Sequence, residues 1–300
     1  MPEGTLPLVD TLESVALGGW IDQRGGTDDT FEGLLGHPRL PEAIRALVLG
    51  TEAFPPADTT LDGKVKDVGY YLVAMCALYL HQSGEVTLAR LREIKAVRVY
   101  MSAGRTRALL DLLSYHGYLD EVPSGQGSPP TRYLPTESFM AAWRRHLDGI
   151  LNVGAILDPS IADVRHRLDD PGVFGALCRH RAEIGFMEVR ETHQSTGFVR
   201  VFAHRYSGTQ ILWELYLSDH ANGAIPVSIN AIAQRHGVSR AHVRRLIDAG
   251  VGEGLLRYVG DREVLLEEAG RAAVRFFHAT RFFVIITAAK RTSAELAAGD

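Results

Sequence analysis

Apolar positions in residues 226–259 follow helical spacing in two runs, and a short interruption separates the runs. Each run places three apolar residues on one helical face: Ile229, Ile232 and Ala233 in the first, and Val243, Leu246 and Ile247 in the second. Gly237 supplies the turn, Val238 fills the angle between the helices, and Ser239 is a natural N-cap for the second helix. The pattern predicts a helix-turn-helix.

The opposite face of the second helix is basic and carries Arg240, His242, Arg244 and Arg245. From Ser228 to Arg245 the chain has four arginines and two histidines and no acidic residue. A helix with an apolar back and a cationic front suits the major groove of DNA. These four residues are therefore predicted to contact DNA. The hydroxyl of Ser239 can cap the helix and also meet a phosphate.

The remaining pattern predicts helices with two small hairpins. The second hairpin joins residues 255–259 to 262–266 through the two-residue turn Gly260-Asp261, and the first spans residues 118–134 around a loop rich in proline and glycine. Helices are predicted for residues 41–50, 66–82, 87–95, 101–115, 136–155, 173–184 and 198–218. A last helix from Gly270 to about Ala289 ends the fold, and the tail from Thr292 is expected to fray. The fold class is mainly α with small β-hairpin wings.

An internal repeat connects the two hairpin regions, because residues 101–122 align without a gap on residues 238–259. The alignment pairs Ser102 with Ser239, Arg107 with Arg244, Leu109 with Leu246, Asp111 with Asp248, Gly117 with Gly254, Leu119 with Leu256 and Val122 with Val259. Upstream, residues 86–91 match residues 227–232, with a few extra residues in the first turn. A repeat of this length is a duplicated supersecondary unit. It predicts tandem winged helix-turn-helix units.

The repeat suggests four segments: an irregular arm (1–34), a first winged-helix domain (35–157), a second (158–291) and a tail (292–300). In the first unit Ser102, Arg105 and Arg107 are predicted to contact DNA, because they lie on the helix that aligns with the basic one. On the wings, Arg132 and Arg262 could reach a minor groove or a phosphate. For Arg132 a solvated surface position is an equal alternative.

The order helix, helix-turn-helix, hairpin wing and long C-terminal helix resembles the MarR family of bacterial transcriptional regulators. Asp261 and Arg262 match the tip of that family's wing, and Leu266 and Gly270 match the start of its next helix, whereas Glu267 stands where the family has threonine. Members are usually homodimers of half this length, so the resemblance implies a pseudo-dimer packed through long helices in one chain. It also implies a small-molecule effector in a pocket between the dimerisation helices and the DNA-binding lobe.

Composition narrows the class of protein. The net charge of −4 argues against a chain that coats nucleic acid without specificity, so DNA binding must come from local basic patches. The only cysteines, Cys76 and Cys178, lie in apolar stretches and fit buried thiols in a reducing cytoplasm. Neither a signal peptide nor a membrane span is predicted. A soluble cytoplasmic, nucleoid-associated bacterial protein is expected.

No constellation of residues predicts an enzyme, a metal site or a cofactor. Cys178, His180 and Glu183 lie close in sequence and His193 follows, but the spacing is poor for a metal, and a surface histidine beside a buried cysteine is the simpler interpretation. No glycine-rich phosphate loop, Ser-His-Asp order or catalytic arrangement of paired carboxylates stands out in the sequence.

Three functions fit these patterns. The first is a sequence-specific transcriptional regulator that binds double-stranded DNA with helices 102–115 and 239–249 in successive major grooves; a homodimer would bind a longer site with two-fold symmetry. The second is a plasmid-type replication initiator, and the third is a protein-interaction module. The location of the bound site separates the first two, and steeply salt-dependent DNA binding would exclude the third.

Overall fold

The computed structural model describes residues 28–52, 68–122, 131–185, 197–203, 205–219, 225–226, 228–259 and 263–299. In these ranges the protein is mainly helical and has two small antiparallel sheets of three strands each. The predicted class, mainly α with small β-hairpins, is confirmed at this level.

The first half begins with two helices, α1 (Asp28–Leu35) and α2 (Leu40–Glu52). The elements of the first repeat copy follow in the order α3 (Val68–Ser83), β1 (Val86–Thr87), α4 (Leu88–Glu93), α5 (Lys95–Tyr100), α6 (Ala103–Tyr115), β2 (Leu119–Val122) and β3 (Arg132–Pro135). The long helix α7 (Glu137–Gly154) closes this half and buries Phe139, Trp143 and Leu147.

A 3₁₀ turn (Pro159–Ile161) leads into the second half, which begins with α8 (Ala162–His166) and α9 (Pro171–Gly185). After a π-helical turn (Val199–Ala203), the second copy follows in the order α10 (Gly208–Ser218), β4 (Ile225–Pro226), α11 (Ile229–His236), α12 (Arg240–Gly252), β5 (Leu256–Val259), β6 (Glu263–Leu266) and α13 (Glu268–Gly299). Both halves thus run helix, strand, helices, hairpin, long helix.

The two copies have the same local structure at aligned residues. Helices α6 and α12 each contain 13 residues and begin after an aligned serine. The hydroxyls of Ser102 and Ser239 each accept a hydrogen bond from the backbone amide three residues further on, at 3.3 Å and 3.1 Å. Both helices are followed by a glycine with positive φ, 73° at Gly117 and 70° at Gly254. Glycine is suited to this left-handed position because it has no Cβ.

The two sheets have equivalent strand orders, β1-β3-β2 and β4-β6-β5. Val86 pairs with the second residue of β3, and Ile225 pairs with the second residue of β6. In the strands Val86 is therefore equivalent to Ile225, whereas the helix caps Thr87 and Ser228 are equivalent as the match of residues 86–91 to 227–232 predicts. The reason is that Thr87 both ends β1 and caps α4, whereas the cap of α11, Ser228, lies two residues beyond β4.

The C-terminal helix α13 continues to residue 299, so the expected frayed tail is wrong. Thr292 is fully buried, and its hydroxyl donates to the carbonyl of Ala288 at 2.9 Å. Glu295 forms an ion pair with Arg179 of α9 at 2.6 Å. Helix α13 packs along α9 and also contacts α1, α2 and α7. Its last turns are ordered by these neighbours, which a local polar pattern does not reveal.

The single helix predicted for residues 198–218 is wrong, because it is interrupted between a π-helical turn and α10. The π-helical turn ends at Ala203, α10 begins at Gly208, and Ser207 between them has a φ of 54°. The backbone of Gly208 lies against the carbonyl of Phe202 so closely that no side chain would fit there. A glycine at this close approach permits the break.

The predicted N-terminal arm, residues 1–34, is wrong for its final part. Residues from Asp28 onward form α1, and Phe31 is 2% exposed. Its ring meets Phe276 and Phe283 of α13 at centroid distances of 5.5 Å and 6.0 Å. Residues 1–27 lie outside the described ranges.

The hydrophobic core runs without interruption from α1 to α13. Helix α8 lies just beyond the predicted domain boundary at residue 157, yet Arg165 of α8 pairs with Asp148 of α7 at 2.7 Å. Lys290 of α13 pairs with Asp158 at 2.6 Å. The boundary stays a prediction, and the two halves share one core.

Within the described ranges, one helix, Glu268–Ala298, is long and apolar enough to cross a membrane on length and composition alone. Of its most apolar stretch, 56% is buried inside the protein. Burial of this extent is expected for a core helix.

Candidate nucleic-acid interface

The second helix-turn-helix is held by local hydrogen bonds at its turn. Gly237 adopts a φ of 64°, and the amide of Val238 donates to the carbonyl of Ala233 at 2.9 Å. Val243 and Ile247 are fully buried, so the apolar side of α12 faces the core as predicted. The other side of α12 is therefore turned to solvent.

Three arginines of α12, namely Arg240, Arg244 and Arg245, are exposed. Among the residues that the structure describes, none of the three has a carboxylate partner. The one acid on this helix, Asp248, accepts a hydrogen bond from the hydroxyl of Tyr258 at 2.6 Å. Partial burial and this bond raise the pKa of Tyr258 to about 12, so the phenol stays protonated and donates to Asp248 at neutral pH. The exposed face of α12 therefore carries three arginines whose charge is not balanced by a described carboxylate.

His242 differs from its arginine neighbours, because it is partly buried and its Nε2 lies 2.9 Å from the backbone carbonyl of Tyr206. The imidazole therefore contacts the segment before α10. A DNA contact by His242 stays a prediction, and the structure gives the ring an additional, structural partner.

Two of the six basic residues in 228–245 contact an acid that lies outside that stretch. Arg235 forms an ion pair with Glu214 of α10, and His236 Nε2 lies 2.8 Å from the other oxygen of the same carboxylate. Burial alone would raise the pKa of Glu214, but the hydrogen bond from His236 and the charge of Arg235 outweigh it and hold the pKa below its usual 4.5. Glu214 anchors α11 to α10.

Replacement of Glu214 by glutamine is expected to reduce the loss of stability in acid. A carboxyl with a lowered folded pKa stabilises the fold fully above its unfolded pKa, near 4.5, and this contribution is lost as the pH falls through the lower folded value. Urea unfolding at a series of pH values should show that the free energy of unfolding falls more steeply toward acid pH in the parent protein than in Glu214→Gln. Glu137→Gln, whose side chain is 71% exposed, is the control. Parallel curves for parent and Glu214→Gln would contradict the prediction.

The first helix-turn-helix differs in its turn and in its charges. The helix predicted for residues 87–95 ends at Glu93, because Ile94 is extended and the extra short helix α5 precedes α6. On α6 the guanidinium of Arg105 lies 5.7 Å from the centre of the Tyr70 ring, and Arg107 is exposed. Ala103 and Ala108 stand where α12 has Arg240 and Arg245. This helix therefore presents fewer cations.

The structure describes only one of the two arginines predicted to lie on the wings. Arg132 is the first residue of the central strand β3, and it pairs with Glu85 at 3.3 Å. Its DNA contact and its solvated alternative both stay predictions. Arg262, with Gly260 and Asp261, lies outside the described residues.

Capping by Ser102 and Ser239 should contribute equally to the two units. Alanine at either position is expected to lower the free energy of unfolding by about 1 kcal/mol, because each hydroxyl satisfies an amide at the start of its helix. Thermal and urea unfolding of Ser102→Ala and Ser239→Ala would measure this. Ser138→Ala, an exposed serine inside the first turn of α7, should leave stability within about 0.5 kcal/mol. A neutral Ser239→Ala would contradict the capping role.

Both cysteines are buried and free, and burial raises the pKa of each thiol to about 12. His180 contacts Glu295 at 2.8 Å and Glu183 at 3.7 Å. Within the part of the chain that the structure describes, no group of three or more metal-ligating residues occurs. His193 lies outside it.

One interaction of the interface region was missed by the sequence patterns, and the cap at the equivalent position of the first copy was predicted. Arg257 of β5 forms an ion pair with Glu267 at 2.6 Å, which explains a glutamate at the start of α13. In the first copy Thr136 stands at the position equivalent to Glu267. Its hydroxyl caps α7 by accepting a hydrogen bond from the amide of Phe139 at 3.3 Å. The threonine follows a local rule that is visible in sequence, whereas the glutamate pairs across the sheet.

No protein-family model, no curated protein and no solved structure matches this chain.

Proposed function

We propose that this chain is a sequence-specific DNA-binding transcriptional regulator with two winged helix-turn-helix units in one polypeptide. The shared element order, strand order and register of the two copies support this assignment. In such a unit the second helix of the helix-turn-helix enters the major groove. Contacts between α7 and α13 join the units as a pseudo-dimer would be joined.

The observation that carries the proposal is the face of α12. Arg240 and Arg244 are four residues apart and so lie on one side of the helix. They are exposed and have no acidic partner among the described residues, while the opposite side is buried. A guanidinium has planar donor geometry that matches the O6 and N7 acceptors of guanine and also phosphate oxygens. Helix α12 is the primary reading helix in this proposal.

The two units would read DNA unequally. Helix α6 has alanine at two positions where α12 has arginine, and Arg105 lies near the ring of Tyr70. The chain is therefore expected to prefer an asymmetric site, in which the half bound by α12 is the more stringently selected.

Selection of bound duplexes from a random pool, followed by a salt titration on the winning site, tests the proposal. If about three to five cations displace counterions, the logarithm of the affinity should fall with the logarithm of salt concentration with a slope of about −3 to −5. A selected site in a promoter supports a regulator, whereas iterated sites at an origin would identify a replication initiator. Failure to enrich any duplex would overturn DNA binding.

A protein-interaction role is a second candidate for the first unit alone. Arg90 pairs with Glu93 at 2.9 Å, and Arg132 is paired as well, so the positive charge of this unit is partly neutralised. Tyr115 at the end of α6 is 84% exposed. Footprinting decides between the two roles, because DNA protection that extends over one half-site only would leave the first unit free for a protein.

A further inference from the structure

The chain before α10 runs along one side of α12, and we refer to residues 197–203 with Arg205 and Tyr206 as the flanking segment. Near its beginning, Arg200 forms an ion pair with Glu253, the residue that follows α12. At its end, the backbone carbonyl of Tyr206 lies 2.9 Å from Nε2 of His242 in the first turn of α12. The flanking segment therefore extends from the last turn of α12 to its first turn.

The helical geometry of α12 shows which side the flanking segment occupies. His242 and Glu253 are eleven residues apart, which is about three helical turns, so both lie on one line along the helix. Arg240 and Arg244 are each two residues from His242, which is about 200° around the helix axis. The exposed face of α12 thus has these two arginines on one flank and the flanking segment on the other.

A tight turn fixes the end of the flanking segment. Ser207, the next residue, is 1% exposed and has a φ of 54°, a conformation that is uncommon for residues other than glycine. The amide of Gly208 donates to the carbonyl of Arg205 at 2.9 Å, and the amide of Arg205 donates to the carbonyl of Phe202 at 3.2 Å. Backbone of this kind persists where the surrounding structure holds it. Arg205 therefore lies on a well-defined turn.

The flanking segment ends in an exposed cation. Residues 197–208 contain no acid, and Arg200 is already paired with Glu253. Arg205 is exposed, and it has no carboxylate partner in the part of the chain that the structure describes. Its guanidinium is therefore available to an anion outside the protein, at the end of α12 that carries Arg240.

We propose that Arg205 binds a phosphate of the DNA backbone on the flank of α12 away from Arg240 and Arg244. A helix in the major groove has one phosphate backbone on each side of it, and the flanking segment would face the backbone on this side. A guanidinium donates paired hydrogen bonds to phosphate oxygens. Such a contact fixes the orientation of α12 and does not read bases. The inference rests on the proposed DNA binding by α12.

The test compares the selected duplex with an unrelated duplex of the same length, in anisotropy titrations over a range of salt concentrations. Arg205→Ala should weaken binding of both duplexes by the same factor, about fivefold to tenfold at about 0.1 M salt, because a phosphate contact is independent of sequence. The slope of the logarithm of affinity against the logarithm of salt should become shallower by about 0.9, the value for one phosphate contact. Arg205→Lys should keep most of the slope, since it keeps the charge.

Two further variants make the result specific. Arg145→Ala removes the same charge from the exposed side of α7 and should leave affinity and slope as in the parent. Arg244→Ala should weaken the selected duplex more than the unrelated one, because Arg244 is proposed to read bases. Circular dichroism and the melting temperature should show that Arg205→Ala folds like the parent, since the side chain is exposed.

Arg205→Ala that binds both duplexes with the affinity and salt slope of the parent would overturn the inference. A loss confined to the selected duplex would overturn it too, because Arg205 would then be a base contact. Failure of the proposed function has a different signature, since the parent itself would then bind neither duplex. A parent that binds DNA while Arg205→Ala is unchanged refutes the phosphate contact alone.

Discussion

Replacement of Arg240 or Arg244 by alanine is expected to weaken binding to the selected duplex by about 1–3 kcal/mol each, or roughly 5- to 150-fold in Kd. Both guanidinium groups are exposed on one side of α12 and have no acidic partner in the described ranges. Truncation would therefore remove the proposed DNA contact without breaking an ion pair inside the described part of the protein. Fluorescence anisotropy titrations at one fixed salt concentration would measure the change.

The repeat offers a matched control for this experiment. Arg107→Ala removes the residue of α6 that aligns with Arg244, and the loss should be smaller because α6 has Ala103 where α12 has Arg240. Arg145→Ala, on the exposed side of α7, should leave affinity unchanged. If Arg240→Ala and Arg244→Ala bind the selected site as the parent does, α12 is not the reading helix.

Phe282→Ala is expected to lower the free energy of unfolding by about 3–5 kcal/mol, the usual cost of removing a fully buried aromatic side chain. Phe282 is 0% exposed in the middle of α13, the helix that contacts both α7 and α9. Because this helix belongs to the shared core, the loss should reach both halves of the chain. Urea unfolding followed by circular dichroism would measure it.

The exposed Leu49, at 48%, is the control for that substitution, and Leu49→Ala should change stability by no more than about 0.5 kcal/mol. Single-tryptophan versions that keep Trp143 or Trp213 report on the first and second halves separately. Both tryptophans should report the same unfolding transition, and Phe282→Ala should move the midpoint of that transition to a lower urea concentration for both. A shift confined to one probe would contradict a shared core and favour two independent domains.

Local sequence rules predicted the parts of the fold whose information is local. Ser102 and Ser239 cap α6 and α12, and Gly237 forms the left-handed turn between α11 and α12. The gapless alignment of residues 101–122 on 238–259 also anticipated equivalent helix ends at Gly117 and Gly254. Caps, turns and apolar spacing act over three or four residues, so one sequence suffices to find them.

The charge state of the candidate interface could not be predicted in the same way. Arg132 reads as a wing cation in sequence, but β3 is the central strand, which brings it to Glu85 beside β1. Residues 228–245 contain no acid, but in the fold they lie beside Glu214 of α10. The carboxylate of Glu214 forms an ion pair with Arg235 and contacts the ring of His236. Ion pairs between distant segments depend on how helices and strands pack, and spacing along the chain does not encode them.

The amino-acid pattern by itself determined a mainly helical class, two copies of one supersecondary unit, and a second copy richer in arginine on its exposed helix. The tertiary structure alone decided which of those arginines lack partners, that α13 extends to residue 299, and that both halves share one core. It also brought Tyr206, and with it Arg205, beside the first turn of α12. The physical reason is range: hydrogen bonds at caps and turns form between neighbours in sequence, whereas burial and charge pairing form between neighbours in space.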